Sequence, residues 1–392
     1  MTEEKRSFKT VAKSLSKRWF IDAFSGMAQG LFCTLIAGTI LEQIGKWIGN
    51  NFIGQSLVSI AAKAKTHMGA EICVGIAHAL GFIGQTLVSI AAMAKMLMGA
   101  GIGVGIAHAL GANKLTMFSA AVAGFAGAFA DKLILGNVSS VGFGLPGNPI
   151  GAYVVSLLAI EIVSLYAGKT KLDILIVPLG TLLLVFVGMY LAYPFIWLIK
   201  ELGILIEKAT DIAPFFMGII ISVVMGVLLT MPTSSAAIWI SIASGVTSDA
   251  MLLAGGAAVV GCSCHMIGFA VASFRENGVS GLVSQGVGTS MLQIPNIMKK
   301  PIIMLPEIIA SAILGPVSTC LFKLKCTATG GGMGTSGLVG VFGVIDASAT
   351  LQPWVTVLGI VLLMFVLPAV ICFTLSEIFR KIGWIKEGDQ KL

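Results

Sequence analysis

Residues 174–199 read ILIVPLGTLLLVFVGMYLAYPFIWLI, a continuous run without a single charged side chain. A helix needs about 20 mostly apolar residues to cross a bilayer, so this run predicts a transmembrane helix. Comparable runs lie near 24–45, 115–136, 149–167, 212–231, 250–274, 301–322 and 353–379. With the more broken apolar zones at 52–112 and 232–247, they predict an all-α polytopic membrane protein of about 8–10 transmembrane helices.

The composition supports the same class. Of the 392 residues, 56% are hydrophobic and only 11% are charged, whereas soluble domains carry about 25% charged residues. So few charges cannot cover a water-facing surface, and the remaining surface must face lipid. The mean hydropathy of +0.97 agrees.

Basic residues collect at the two ends of the chain. Lysines and arginines precede the first apolar run and follow the last one, and the net charge is +7. The positive-inside rule therefore predicts that both termini are cytoplasmic and that the number of spans is even. We expect residues 1–20 to form a basic amphipathic segment on the cytoplasmic leaflet, 21–379 the membrane domain, and 380–392 a cytoplasmic tail.

A tandem repeat fills the N-terminal third. Residues 52–81 and 82–111 differ at only six of thirty positions, which indicates a recent duplication. Lys63, His67 and Glu71 of the first copy replace Met93, Leu97 and Gly101 of the second copy, and this spacing places each set on one helix face. The second copy is therefore interpreted as the original segment, packed within the membrane, and the first copy as an insertion.

Three segments are too polar for lipid and too apolar for ordinary loops: Gly142–Gly151, Ser273–Asn296 and Thr327–Gly340. Glycine- and proline-broken backbone is tolerated at membrane depth only inside protein or beside a water-filled cavity, and transporters build substrate sites from such segments. The sequence thus predicts re-entrant, glycine-rich loops, especially at the second and third segments. These segments also hold the candidate substrate-binding residues: Asn148, Arg275, Glu276, Asn277, Gln285, Gln293, Asn296, Thr335 and Ser336.

Amide, carboxylate and guanidinium groups suit the recognition of sugar hydroxyls, because together they offer donors and acceptors. Arg275 and Glu276 have an equally simple alternative role, as a surface pair that caps a helix. Glu161 is a second acidic residue within an apolar run, and a buried helix–helix hydrogen bond is its favoured role. Polar residues at Lys200–Asp211 predict a short loop. The Cys262–His265 string is interpreted as small packed residues, so neither a metal site nor a cofactor is predicted.

The string SFRENGVSGLVSQGVGTSMLQIPNI at 273–297 resembles the EIIC-type membrane proteins of the phosphotransferase system, in the branch that includes perfringolysin-regulator-like proteins. GGGMGTSGLVG at 330–340, PFFMGIIISVVMGVLLTMPTSSAAI at 214–238 and MGAGIGVGIAHAL at 98–110 are similar to the same branch. The extra thirty-residue copy departs from the pattern, as does Asn148, which stands where the family's loop is expected to be acidic.

The resemblance implies a sugar-translocating subunit in a bacterial cell membrane, usually a homodimer. It would present its sugar to a separate cytoplasmic EIIB protein, supplied in turn by EIIA, because this chain shows no phosphoryl-transfer residue of its own. Glu276 would then contact the sugar and Arg275 would orient it or balance its charge. Two alternatives remain open: a membrane regulator or sensor that has the EIIC fold without transport, and a proton-coupled secondary transporter. Nucleic acid is not an expected partner.

Overall fold

The computed structural model describes residues 14–49, 67–135, 147–231, 234–243, 248–348 and 351–392. Every regular element in these ranges is a helix, so the predicted all-α polytopic class is confirmed. The first thirteen residues and residues 52–66 of the first repeat copy, including Lys63, lie outside the described residues. Most of the Gly142–Gly151 segment lies outside them as well.

The N-terminal half is built from seven helices in the described ranges. They are α1 (Ser14–Ile48), α2 (His67–Met96), α3 (Met98–Ala109), α4 (Lys114–Ala128), α5 (Ala130–Ile134), α6 (Pro149–Ser164) and α7 (Asp173–Ile212). Helix α1 runs through the expected boundary at residue 20 without a break, and Arg18 near its start bonds Glu161 of α6 at 2.6 Å. Glu161 thus joins two helices as expected, but the contact is not the buried one that was predicted, because the Glu161 side chain is 28% exposed.

The C-terminal half alternates long helices with short ones. They are α8 (Pro214–Thr230), α9 (Ser235–Ala243), α10 (Asp249–Ala272), α11 (Phe274–Val283), α12 (Ile294–Lys299), α13 (Pro301–Phe322), α14 (Ala328–Gly331), α15 (Ser336–Ala347) and α16 (Pro353–Ile382). Single turns at Ser284–Gly288 and Ser290–Gln293 connect α11 to α12. Helix α10 lies at the centre of this half, and 78% of its most apolar 18-residue stretch is buried.

Five helices in the described ranges are long and apolar enough to cross a membrane: α1, α7, α10, α13 and α16. The 82–96 part of α2 and α3 together would make a sixth, bent by 50°. Helices α4, α6, α8 and α15 are apolar but have only 10–17 residues. Three of the eight predicted spans are therefore short helices.

The prediction of a loop at Lys200–Asp211 is wrong. These residues continue α7 to Ile212. Polarity alone suggested a loop, but the charged residues are interleaved with apolar ones, as on a helix with one exposed face. Gly203 on the other face packs against the carbonyl of Ile242 in α9.

Glycines set the distance between the helices. A Cβ atom built on Gly105 of α3 would lie 2.1 Å from the carbonyl oxygen of Gly26 in α1, and one on Gly261 of α10 would lie 1.9 Å from that of Ser222 in α8. Main chain therefore contacts main chain, as in membrane helix pairs with small residues at the interface. Such contacts account for many of the glycines in the described helices.

The second repeat copy is closely packed at two of the six positions where the copies differ, Gly101 and Gly103, whereas Met93 and Leu97 are exposed. Gly101 faces α1, and a Cβ atom there would lie 2.8 Å from Thr34 Cγ2 and 2.9 Å from the carbonyl oxygen of Gly30. The glutamate that occupies the equivalent position 71 of the first copy would not fit at this contact. This supports the interpretation of the second copy as the packed original.

Candidate functional site

A small cavity lies where three helix interruptions meet. One is the break between α8 and α9, the second is the turn after Gly288, and the third is the turn between α14 and α15. Helix α1 closes the remaining side. The lining residues are Ala28, Leu31, Leu229, Ser234, Ser235, Ala236, Thr289, Met291, Met333 and Ser336. Two of the segments predicted from glycine and polar content therefore contribute to one internal space.

The cavity holds about 30 Å³, which is room for one or two water molecules. Ordinary small-molecule sites have roughly 300–1,000 Å³. The structure thus represents a closed arrangement of this region. A small-molecule ligand could enter only after the elements around the cavity have separated.

The two interrupted segments are fastened together by side-chain hydroxyls. Thr335 Oγ1 donates a hydrogen bond to the carbonyl oxygen of Gly286 at 2.6 Å, and Ser336 Oγ donates one to that of Gly288 at 2.9 Å. Thr335 is fully buried, and Ser336 lines the cavity. These bonds satisfy carbonyls that the broken helices leave without a helical partner.

A buried polar chain continues from the cavity wall into the helix core. Ser290 follows the lining residue Thr289, and its hydroxyl lies 3.0 Å from Thr230 Oγ1, which in turn lies 2.9 Å from His265 Nδ1. All three side chains of this chain are fully buried. His265 Nε2 has no hydrogen-bond partner within the described residues, so the chain ends on an unsatisfied nitrogen.

A second polar group, which we call the amide cluster, is formed by Asn277, Gln285, Gln293 and Asn296. Gln293 Nε2 donates to Gln285 Oε1 at 3.0 Å, and Asn296 Nδ2 donates to Gln293 Oε1 at 2.8 Å. Gln285 Nε2 donates to Ser273 Oγ at 2.9 Å. Gly278, with φ of +58°, kinks α11 next to Asn277 and so helps to turn this segment back on itself.

The segment that follows α16, Lys386–Leu392, covers the amide cluster, and we call it the strap. The carbonyl oxygen of Gln390 accepts hydrogen bonds from Asn277 Nδ2 at 2.8 Å and from Gln293 Nε2 at 2.9 Å. Asn296 Nδ2 donates to the carbonyl oxygen of Lys391, and the Leu392 amide donates to Asn277 Oδ1. The side-chain amides of the cluster thus form hydrogen bonds with main-chain atoms of the strap and do not line the cavity.

Glu276 lies beside the strap and is almost completely buried. Its Oε1 accepts hydrogen bonds from Arg380 of α16 at 3.1 Å and from the Gly388 amide of the strap at 2.9 Å. Its Oε2 has no partner in the described part of the chain. Arg380 also donates to the Ala272 carbonyl and to Gln390 Oε1, so it connects α10, α16 and the strap.

The profile of the family described as "Phosphotransferase system, EIIC" matches residues 81–392, which is most of the chain. The matched range includes the amide cluster, the strap and every cavity-lining residue except Ala28 and Leu31 of α1. The chain belongs to the EIIC family. No curated protein and no solved structure matches it. The match begins one residue before the second repeat copy, as expected if that copy is the original.

Of the binding residues predicted for this EIIC protein, only Ser336 lines the cavity. Arg275 is largely exposed and bonds Glu377 at 2.9 Å. Asn148 caps α6: its Oδ1 accepts hydrogen bonds from the Ile150 and Gly151 amides and from Ser241 Oγ. Of the remaining predicted residues, Glu276 lies beside the amide cluster of Asn277, Gln285, Gln293 and Asn296, and Thr335 forms the hydrogen bond to Gly286. The predicted residues therefore form separate groups.

Sequence reasoning missed Glu307. It lies in the first turn of the 305–316 part of α13, it is fully buried, and neither carboxyl oxygen has a hydrogen-bond partner among the described residues. Its side chain packs close to Gly268 and Cys372. A lone acidic residue inside the apolar run 301–322 was a visible signal, because intramembrane carboxyl groups are costly and usually functional.

The Asp389 carboxylate of the strap faces Lys300 and Lys386. Burial favours its neutral form, but hydrogen bonds and charge attraction, above all from Lys300 at 2.6 Å, outweigh burial and place the pKa of Asp389 below its ordinary value of 3.8. The contact therefore stabilises docking above pH of about 4, and this stabilisation is lost as the pH falls through the lowered pKa. We expect hydrogen exchange of the strap amides, corrected for intrinsic rates, to accelerate on acidification from pH 6 to pH 3.

Asp389→Asn is the matched control for this titration. It keeps the shape of the side chain but cannot ionise, so the part of the acceleration that Asp389 causes should disappear. Corrected exchange rates that rise by the same factor on acidification in both proteins would contradict this assignment.

Proposed function

We propose that this EIIC protein is the sugar-translocating subunit of a phosphoenolpyruvate-dependent phosphotransferase system, with its sugar site at the cavity between α1, α8 and the two interrupted segments. Family membership supports a phosphotransferase membrane subunit. The observation that carries the location is the convergence of three helix interruptions on one internal space. Free backbone groups beside hydroxyl side chains are suited to replace the water around a polar solute.

In this proposal the hydroxyls of Ser234, Thr289 and Ser336 contact the sugar once the cavity has widened. Each can both donate and accept a hydrogen bond, which matches the dual character of sugar hydroxyls. Met291 and Met333 offer flexible apolar surface to the carbon faces of the ring. The buried chain from Ser290 to His265 supports the wall from behind.

The other sugar contacts predicted from the sequence stay predictions: Asn148, Arg275, Glu276, Asn277, Gln285, Gln293, Asn296 and Thr335. The phosphoryl group would come from a separate EIIB protein, itself supplied by EIIA. Location in a bacterial plasma membrane, cytoplasmic termini and a homodimer belong to the same proposal. Their support is the family and the distribution of basic residues.

The test is sugar uptake by membrane vesicles supplied with the soluble phosphotransferase proteins and a panel of radiolabelled hexoses, pentoses and disaccharides. We expect uptake that requires phosphoenolpyruvate. Ala28→Phe should lower it at least about tenfold, because a ring at this lining position fills a space far smaller than a ligand site. Uptake that ignores phosphoenolpyruvate but collapses with the proton gradient would reject the proposal.

Ala109→Phe is the matched control, because Ala109 is an exposed alanine at the end of α3. It adds the same ring away from the cavity and should leave uptake unchanged when equal amounts of protein are inserted. Equal loss in both variants would show that the ring harms assembly and not the sugar site.

A further inference from the structure

The strap is bound by groups that the sequence marks for ligand recognition. Seven hydrogen bonds join Lys386–Leu392 to residues outside it, from Glu276, Arg380, the amide cluster and Lys300. Gln390 is fully buried at the centre of these contacts. Backbone carbonyl and N–H groups of the strap form hydrogen bonds with the side-chain amides of the cluster, much as a polar ligand would.

The strap is also anchored at the point where it leaves α16. Gly383, with φ of +83°, ends the helix, and the buried side chain of Ile385 packs with Phe269, Ile297 and Phe379. The covalent link and this apolar anchor keep the strap at high local concentration over the amide cluster. Rebinding after release is therefore intramolecular.

The balance of forces makes docking reversible. The net stabilisation from one hydrogen bond is comparable to the entropy cost of fixing one residue of backbone, and seven hydrogen bonds hold seven residues. Most strap side chains remain exposed to solvent, so little apolar burial adds to docking. Release of the strap consequently requires no unfolding of the helices.

We propose that Lys386–Leu392 is a self-inhibitory latch, which in the docked state withholds Glu276 and the amide cluster from the phosphoryl-donor protein. This inference rests on the proposed function. The docked strap occupies Glu276 Oε1, both polar atoms of the Asn277 side chain, and the amide nitrogens of Gln293 and Asn296. Release removes the strap's hydrogen bond from each of these atoms together, while Glu276 keeps its bond from Arg380 and the amide cluster keeps its internal bonds.

The Lys300–Asp389 ion pair offers a test in the full chain, because it lies at the edge of the amide cluster and outside the cavity. Lys300→Asp and Asp389→Lys each place like charges opposite one another, and the double variant restores an opposite-charge pair. Two quantities are measured for each protein: hydrogen exchange of the Gly388 and Leu392 amides, and phosphoenolpyruvate-dependent uptake of the sugar panel.

We expect each single variant to accelerate exchange at least about tenfold and to raise uptake about threefold or more, with both values returning towards wild type in the double variant. Faster exchange without a rise in uptake would overturn the latch and leave the proposed function intact. If no protein, including the released variants, shows phosphoenolpyruvate-dependent uptake, the proposed function fails and the latch fails with it. Exchange that no variant changes would show that the ion pair does not hold the strap, and would also overturn the proposal.

Discussion

Glu276→Ala is expected to lower the free energy of unfolding by about 3–5 kcal/mol, the usual cost of removing one partner from a buried ion pair. The Glu276 and Arg380 side chains are only 5% and 12% exposed. Without the carboxylate, the Arg380 guanidinium would stay buried with no opposite charge in contact. Equilibrium unfolding in mixed detergent micelles, without sugar, measures the loss separately from any effect on binding.

Glu377→Ala is the matched control, because it removes the same type of group from an ion pair of the same composition. Its partner Arg275 is 63% exposed, and pairs of this kind contribute less than about 1 kcal/mol. Adding Arg380→Ala to Glu276→Ala should recover part of the loss, since no lone buried charge remains. Equal effects of Glu276→Ala and Glu377→Ala would show that the Glu276 pair is hydrated.

Gly261→Ala is expected to be among the most damaging changes of a single methyl group in the described helices of the C-terminal half. The added Cβ would lie 1.9 Å from the Ser222 carbonyl oxygen and 2.6 Å from the Ser222 Cα atom. Backbone cannot move aside as a flexible side chain can, so α8 and α10 would have to separate. We expect a loss at or above the upper end of the roughly 1–3 kcal/mol of ordinary overpacking, seen as a lower melting temperature in detergent.

Gly288→Ala tests whether the loss comes from the close contact or from glycine replacement in general. A Cβ atom at Gly288 would meet no atom within 4 Å. Its melting temperature should therefore remain within a few degrees of wild type. If Gly261→Ala proves equally mild, α8 and α10 do not touch through their main chains.

The membrane class followed from sequence because composition and run length are physical requirements of the bilayer. The short lengths of α4, α6 and α8 did not follow, because hydropathy continues through the turns that end these helices. The loop predicted at 200–211 failed because a charged helix face and a loop have similar composition. Glycine counts indicated close packing, but only coordinates pair Gly261 with Ser222.

The candidate site was predictable in its segments and not in its partners. The polar residues that interrupt the apolar runs indicated the segments that form the amide cluster and the segment that carries Thr335 and Ser336. Nothing local links Asn277 to Gln390, which are more than a hundred positions apart in the chain. The cavity lining combines residues from α1 with residues near 230, 290 and 335, and such combinations depend on tertiary packing.

The direct main-chain contacts between helices also restrict how the transporter can move. Gly26 and Gly105 bring α1 and α3 into main-chain contact, and Gly218 and Gly315 do the same for α8 and α13, where the hydroxyl groups of Ser222 and Thr319 lie beside the contact. Each fastened pair should travel as a rigid body. In the transport function proposed above, α1 would then move together with α3 and α8 together with α13, with little bending within any single helix.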